Sequence, residues 1–480
     1  MHRVGATAVV EFQPTIGEWW IAGEPASAVP GFISLGDEDK PWRLTTDGGL
    51  ARDLGPGFDL GRTVHGLTPS GEMTLLGVSL DSWQGKGDAP QMQVWSAFQL
   101  ITGGHVLDTD AFTELRFSVP HLLNWIGPTE LNYHTPERFR VTPEDLGTPL
   151  RATPDEHLEV TLGATVTETV GQLGESWEAQ ATYTLTGQHG VTLRQLERVE
   201  LALASLHSIL ADQPMQTYGV TMGRSTDLQA PRLAIVDPGQ PDGAGWGQRG
   251  HRDLFFDTSE IEFSSFIRAW LNLWDTALMA VAMATPKNNG QTVQSRLVDV
   301  CNGLEALAVQ LWEPPALSDD EELVLAILKD NEVDTRLRRR VKSGLRMSKW
   351  PLEDKLIQLA GLLGTESSAW LLGPSTRTWA HLVARLRNSL AHGSTLNGGL
   401  SDDHPFVIMT YMSAAAVLRL ALLSSAGFTN PSSQTPGELL WARGKRATGH
   451  PNSPVFHRLE DVARYAGHWA TWSARLEGNT

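Results

Sequence analysis

Residues 375–393 read STRTWAHLVARLRNSLAHG, and how this stretch folds decides the second half of the chain. Ser375 is a residue type that caps helix N-termini, and Gly393 is the usual residue just beyond a helix C-terminus. The spacing predicts one helix between them. Its last turns, Arg385–Gly393 (RLRNSLAHG), place an arginine, an asparagine and a histidine on a segment otherwise built of Leu, Ala and Ser. On a helix Asn388 and His392 are four apart and share a face, while Arg387 and His392 are separated by roughly 140°. Only a long arginine could bend towards the histidine. Taken singly, His392 reads as a helix-dipole partner, Arg387 as a surface cation and Asn388 as incidental. Together they carry the groups that metal-free cleavage of an RNA backbone requires. One group must take the 2′-OH proton, another must protonate the leaving 5′-oxygen, and cations must face the charged phosphorane. Histidine titrates near neutral pH, and arginine binds phosphate oxygens in a fork. One His and one Arg make half a site, so two copies across a twofold axis would make a whole one.

Working outward, the neighbourhood of this helix is also helical. Stretches 259–284, 292–312, 319–330, 334–347, 351–363 and 404–427 carry helical caps or apolar stripes, with a last helix at 459–477. The segment 404–427 is the most apolar and is expected to be buried. Before residue 237 the pattern changes. Stretches 71–80, 92–103, 113–120, 157–171 and 177–187 are rich in Val, Thr, Leu and aromatics and are bounded by Gly, Pro and Asp. They read as strands of a β-sandwich or a curved antiparallel sheet. Within that half, 193–213 has Leu196, Val199, Leu203, Leu206 and Leu210 at steps of three or four, a helical stripe, and strand-like 217–223 and 231–237 follow. The run 237–253 has no periodicity and is crowded with Gly, Pro and polar residues, so it reads as a boundary. The expected organisation is a β-rich, sandwich-like domain at 1–240, a linker at 241–254 and an all-α domain at 255–480: an α+β multidomain fold.

Composition limits the functions available. The 480 residues are too many for one compact core. The net charge of −17 is unevenly spread. Residues 1–250 hold 15 Lys+Arg and 31 Asp+Glu (15 − 31 = −16), and residues 251–480 hold 23 and 24 (23 − 24 = −1). A polyanion would have to meet the second half. There the block 335–349 concentrates Arg336, Arg338, Arg339, Arg340, Lys342, Arg346 and Lys349, either a phosphate-binding surface or a solvated helix face. A single cysteine, Cys301, excludes an internal disulfide framework and a Cys-rich zinc site. The N-terminal MHRVGATAVVEFQPT lacks the apolar core of a signal peptide, and no run of about 18 apolar residues appears, so a cytoplasmic chain without a membrane span is expected. GWGQRG at 245–250 has dinucleotide-motif spacing but neither the strand before it nor the helix after it, and reads as chance. Seventeen tryptophans, Trp19 and Trp20 among them, read as packing residues, with carbohydrate binding as the alternative.

RLRNSLAHG resembles the R-x4-6-H signature of HEPN domains, including the polar residue after the arginine. RLVDVCNGLEAL at 296–307 resembles the early HEPN helix that carries a glutamate, here Glu305. The order of elements is similar to that of ApeA-like HEPN proteins. GEWWIAGEPASAVPGFISL, VHGLTPSGEMTLLGV and FTELRFSVPHLLNWIG resemble the ApeA N-terminal domain. The resemblance implies a metal-independent endoribonuclease toxin of antiphage abortive infection, working as a homodimer through its HEPN domain and needing no cofactor or metal. By position it implies Arg387 and His392 as the catalytic pair, Asn388 as an orienting polar residue and Glu305 as an orienting carboxylate. The implied substrate is RNA, with tRNA an analogy, and the implied place for a phage-derived trigger is the N-terminal domain. Two readings stay beside it: a non-catalytic HEPN scaffold, and a carbohydrate-binding N-terminal sandwich.

Overall fold

The computed structural model describes residues 13–37, 40–50, 63–86, 89–126, 148–171, 174–225, 231–236, 254–287, 290–313, 316, 318–428, 459 and 462–478. The stretch 245–250 and the expected linker, apart from Leu254, lie outside the described residues. The chain divides into two compact units. One comprises Met1–Ala204 and Met215–Arg249, the other Ser205–Pro214 and Gly250–Thr480.

The first unit is built on one antiparallel sheet. Its strands are β1 (Thr15–Ile21), β2 (Val29–Asp37), β3 (Lys40–Asp47), β4 (Val64–Thr68), β5 (Gly71–Leu76), β6 (Ser79–Lys86) and β7 (Ala89–Ala97). They continue with β8 (Gln99–Thr102), β9 (Ala111–Ser118), β10 (Leu150–Asp155), β11 (Leu158–Gly171), β12 (Gly174–Thr192), β13 (Tyr218–Gly223) and β14 (Leu233–Val236). The spatial order is β10-β11-β12-β9-β13-β14-β8-β5-β4-β1-β2-β3-β7-β6. Of the two architectures the sequence allowed, the curved sheet is the one formed. A single buried cluster takes Leu100 from β8, Met73 and Leu75 from β5, Trp19 from β1, Trp42 and Leu44 from β3 and Trp95 from β7. Strands so far apart in sheet order share a core only because the sheet curls.

Strands β1 to β4 and β10 carry little of the Val/Thr-rich signature, and the sequence reading missed them. Breaker residues within them are the reason: glycine in β1, β2 and β4, and proline in β3 and β10. A Cβ on Gly66 would stand 2.4 Å from the Trp19 ring, so β4 passes too close to that indole for any side chain. The glycine is a packing requirement inside a strand, although in sequence it reads as a breaker. Trp19 itself is fully buried, and Trp20 packs edge-on against His105 with centroids 5.1 Å apart. The Trp19 ring is therefore closed to a sugar, which removes half of the pair behind the carbohydrate alternative.

Between the strands lie a short helix α1 (Leu122–Trp125) and the long α2 (Leu193–Ala211). All five stripe residues of α2, Leu196, Val199, Leu203, Leu206 and Leu210, are buried. The division between the units falls within α2, so its last residues belong to the helical unit.

The helical unit contains α3 (Phe263–Thr276), α4 (Leu278–Ala284), α5 (Val293–Leu311), α6 (Asp319–Asp330), α7 (Thr335–Lys349) and α8 (Leu352–Gly361). It goes on through α9 (Thr365–Leu372), α10 (Thr376–His392), α11 (His404–Ser425) and α12 (Trp469–Glu477). The expected single helix 259–284 is broken at Ala277, whose φ −126° and ψ 34° are not helical. Its start is set by Glu262, whose carboxylate accepts from the Ser264 and Ser265 N–H groups, and not by Ser259. The described residues of the expected last helix, 459–477, are helical but pass through a 3-10 turn at Ala466–His468 before α12, and α9 was not anticipated. Helix α5 lies at the centre, against α4, α8, α10 and α11. Helix α11 is long and apolar enough to cross a membrane, but 78% of its apolar window is buried, the situation of a core helix.

Candidate active site

The site forms where α5, α8 and α10 meet. Each of the two helices that carry its main residues has a local reason for its position. Thr292 caps α5 by accepting from Ser295 N–H at 3.2 Å, and Ser375 caps α10 by accepting from Thr378 N–H at 3.2 Å. At the other end of α10, Gly393 adopts φ +63°, a left-handed conformation that glycine tolerates without strain. Ser394 N–H then reaches back to Ser389 O at 3.0 Å, closing the helix end as a Schellman motif. The chain turns sharply there and leaves His392 on the last turn.

Arg387 projects from α10 onto α5. Its guanidinium donates to Asn302 Oδ1 at 3.2 Å and to Asn388 Oδ1 at 3.2 Å. The same group stands 3.8 Å from Glu305 Oε2. The other oxygen of Glu305 accepts from Lys355 Nζ of α8 at 2.6 Å. Lys355 is 4% exposed in its side chain and also lies 5.2 Å from the centre of the Trp350 ring. The three charged groups sum to +1, and the carboxylate is held by lysine more closely than by arginine. Arg387 keeps 24% of its side chain exposed, and its Nε is buried without a hydrogen-bond partner among the described residues. Its hydrogen bonds go to neutral amide oxygens, so the exposed part of the guanidinium keeps its charge for an anion.

Asn388 and His392 are exposed. Among the described residues His392 has no hydrogen bond or ion pair, so both ring nitrogens are open to an incoming group. Cys301, beside Asn302, is fully buried, and burial pushes its thiol up to about 12. The Arg387 charge pulls it down and the Glu305 charge pushes it further up, both weaker than burial. This thiol is no nucleophile at neutral pH.

The sequence-derived residues therefore meet in part. Arg387, Asn388 and Glu305 are in one network, and His392 lies on the same helix, five residues on and about 7.5 Å along its axis. The expected RNA-contacting block is on α7. Arg336, Arg339, Arg340 and Lys342 are exposed there, and Arg338 is partly engaged by Val333 O at 2.9 Å. The Arg346 side chain lies outside the described residues. Sequence reasoning missed Asn302 and Lys355. Lys355 interrupts an apolar helix, PLEDKLIQLAGLL, at a position one residue before buried Leu356, and a lysine on a core-facing stripe is a signal that could have been read. Asn302 stands three residues before Glu305, on the same face of α5.

The comparisons settle the family. The family model for ApeA N-terminal domain 1 matches residues 14–270, more than half of the chain, and the model for Apea-like HEPN matches residues 298–432. The chain is an ApeA-like HEPN defence protein. The HEPN match begins in α5, five residues after the helix starts, and takes in Asn302, Glu305, Lys355, Arg387, Asn388 and His392. The ApeA match covers the whole sheet and α2. No curated protein and no solved structure matches the chain.

Proposed function

We propose that this ApeA-like HEPN protein is a metal-independent endoribonuclease whose complete site is formed by two copies of the chain. The observation that carries this reading is the state of Arg387: oriented by Asn302 and Asn388, close to Glu305 without a hydrogen bond to it, and partly exposed, while His392 on the same helix is exposed and unpaired among the described residues. In the reaction one His392 takes the proton of a ribose 2′-OH, and the O2′–P bond forms as the P–O5′ bond breaks. The second His392, from the other copy, gives its proton to the leaving 5′-oxygen. The products are a 2′,3′-cyclic phosphate and a 5′-hydroxyl end. The two Arg387 guanidiniums stabilise the charge on the phosphorane oxygens. Exposed Arg336, Arg339, Arg340 and Lys342, with Arg338 and Arg346, would hold the strand by its phosphates, supplying affinity and little sequence choice.

The physiological role proposed is abortive infection in the cytoplasm, with a tRNA as the target and a phage-derived trigger received by the acidic N-terminal half. Such an acidic half would also repel RNA from the chain until displaced. The test is expression of wild type against His392→Ala in bacteria, together with RNA cleavage by the purified full-length proteins in EDTA. Wild type is expected to arrest growth and to cleave in EDTA, and His392→Ala to do neither. Equal toxicity and equal cleavage would remove the catalytic reading and leave a HEPN scaffold.

A further inference from the structure

We propose that Lys355 is a positioning residue of this site: by engaging Glu305 Oε1, it keeps the carboxylate from closing on Arg387 and so leaves that guanidinium available to a substrate phosphate. The inference rests on the reading of Arg387 as the phosphate-binding cation.

Glu305 has two cations within reach and divides itself unequally between them. Its Oε1 is 2.6 Å from Lys355 Nζ, and its Oε2 is 3.8 Å from the Arg387 guanidinium, an ion-pair separation with no hydrogen bond. Arg387 instead spends its hydrogen bonds on two neutral amide oxygens, Asn302 Oδ1 and Asn388 Oδ1. Amide oxygens orient a guanidinium without cancelling its charge, whereas a bidentate carboxylate would both orient and neutralise it. Lys355 is suited to hold the carboxylate off. It is nearly fully buried, rises from the neighbouring α8, and rests against the Trp350 ring, so its ammonium has few other positions to occupy. A buried lysine is retained only where its charge is paired. Here the pairing leaves one net positive charge, and of the two cations Arg387, 24% exposed against 4% for Lys355, is the one that reaches solvent.

Without Lys355, Glu305 would carry an uncompensated charge beside Arg387 and would turn its whole carboxylate onto the fork. The arginine would then meet a phosphate already neutralised. This gives a signature that a purely structural lysine would not give. Lys355→Met should lower kcat/KM for RNA cleavage by about tenfold, with kcat falling as well as KM rising, because the guanidinium that binds the phosphate also faces the phosphorane charge. Lys355→Arg should retain most activity, since the charge remains. Adding Glu305→Gln to Lys355→Met should restore activity to the level of Glu305→Gln alone, because the carboxylate that captures Arg387 is gone. A structural role predicts the reverse, with the double variant worse than either single one.

The experiment measures cleavage of bulk bacterial tRNA and of a mixed single-stranded RNA pool by the full-length chain, for wild type and these four variants. Circular dichroism melts accompany each variant. Where Lys355→Met does not fold, Lys355→Gln replaces it with the same expected order. Wild-type activity in Lys355→Met, or a double variant no better than Lys355→Met, would overturn the role of Lys355. His392→Ala runs alongside: if it cleaves as wild type does, the RNase reading fails on its own account, independently of the lysine series.

Discussion

At the scale of single residues, the chemistry at the meeting of α5, α8 and α10 depends on which groups are buried and which are open. His392 is exposed and unpaired among the described residues, so its replacement by alanine should change stability by no more than about 0.5 kcal/mol, which separates lost cleavage from lost folding. Cys301 shows the opposite situation. With its thiol pushed up to about 12, it stays protonated in the folded chain through the range where an ordinary thiol at 9.0 ionises. The folded state therefore binds more protons than the unfolded state above pH 9, and stability falls as pH rises from there towards 12. Iodoacetamide at pH 8.5 should leave the native chain unlabelled and should label Cys301 once urea unfolds it. Rapid labelling of the native chain would contradict the buried placement.

At the scale of elements, α10 is a helix whose two ends do different work. The Gly393 end turns the chain away and exposes His392, while the Ser375 end only holds the helix start. Arg387 is twelve residues from Ser375, about 18 Å along the axis. Ser375→Ala should therefore cost about 1 kcal/mol in urea unfolding through the lost cap while leaving cleavage per folded molecule unchanged. A loss of activity without a loss of stability would mean that the two ends are coupled. The helix was legible because its signals are local: a capping serine, a terminal glycine and apolar spacing. The break at Ala277 was not legible, because LNLWDTALMAVAMA offers no proline or glycine, and nothing local marks where α3 gives way to α4.

At the scale of the whole molecule, the sequence placed the start of the helical half at residue 255, whereas Ser205–Pro214 folds with that half. Those residues contribute to its interior. Phe255 N–H donates to Leu210 O at 2.9 Å, and Arg419 pairs with Asp212 while donating to Ala284 O at 3.0 Å. A fragment of residues 255–480 leaves Arg419, 19% exposed, without its carboxylate. It should unfold in urea with a stability lower by at least about 2 kcal/mol than a fragment of residues 205–480, since a hydrogen bond to a charged group is lost along with packing. Equal stabilities would show that 205–214 is dispensable.

The sequence by itself determined the two-part architecture, the caps and end of α10, the burial of the α2 stripe and the chemical identity of Arg387, Asn388, His392 and Glu305. Each of these is written in residue type and short-range spacing. Tertiary structure alone decided that Asn302 and Lys355 join the network, that Glu305 leans towards lysine, that Gly66 is a strand residue under Trp19, and that α2 ends in the helical unit. These depend on approaches between segments up to two hundred residues apart. No local pattern encodes such distances, because they are set by how helices and strands pack, and not by what any one of them prefers.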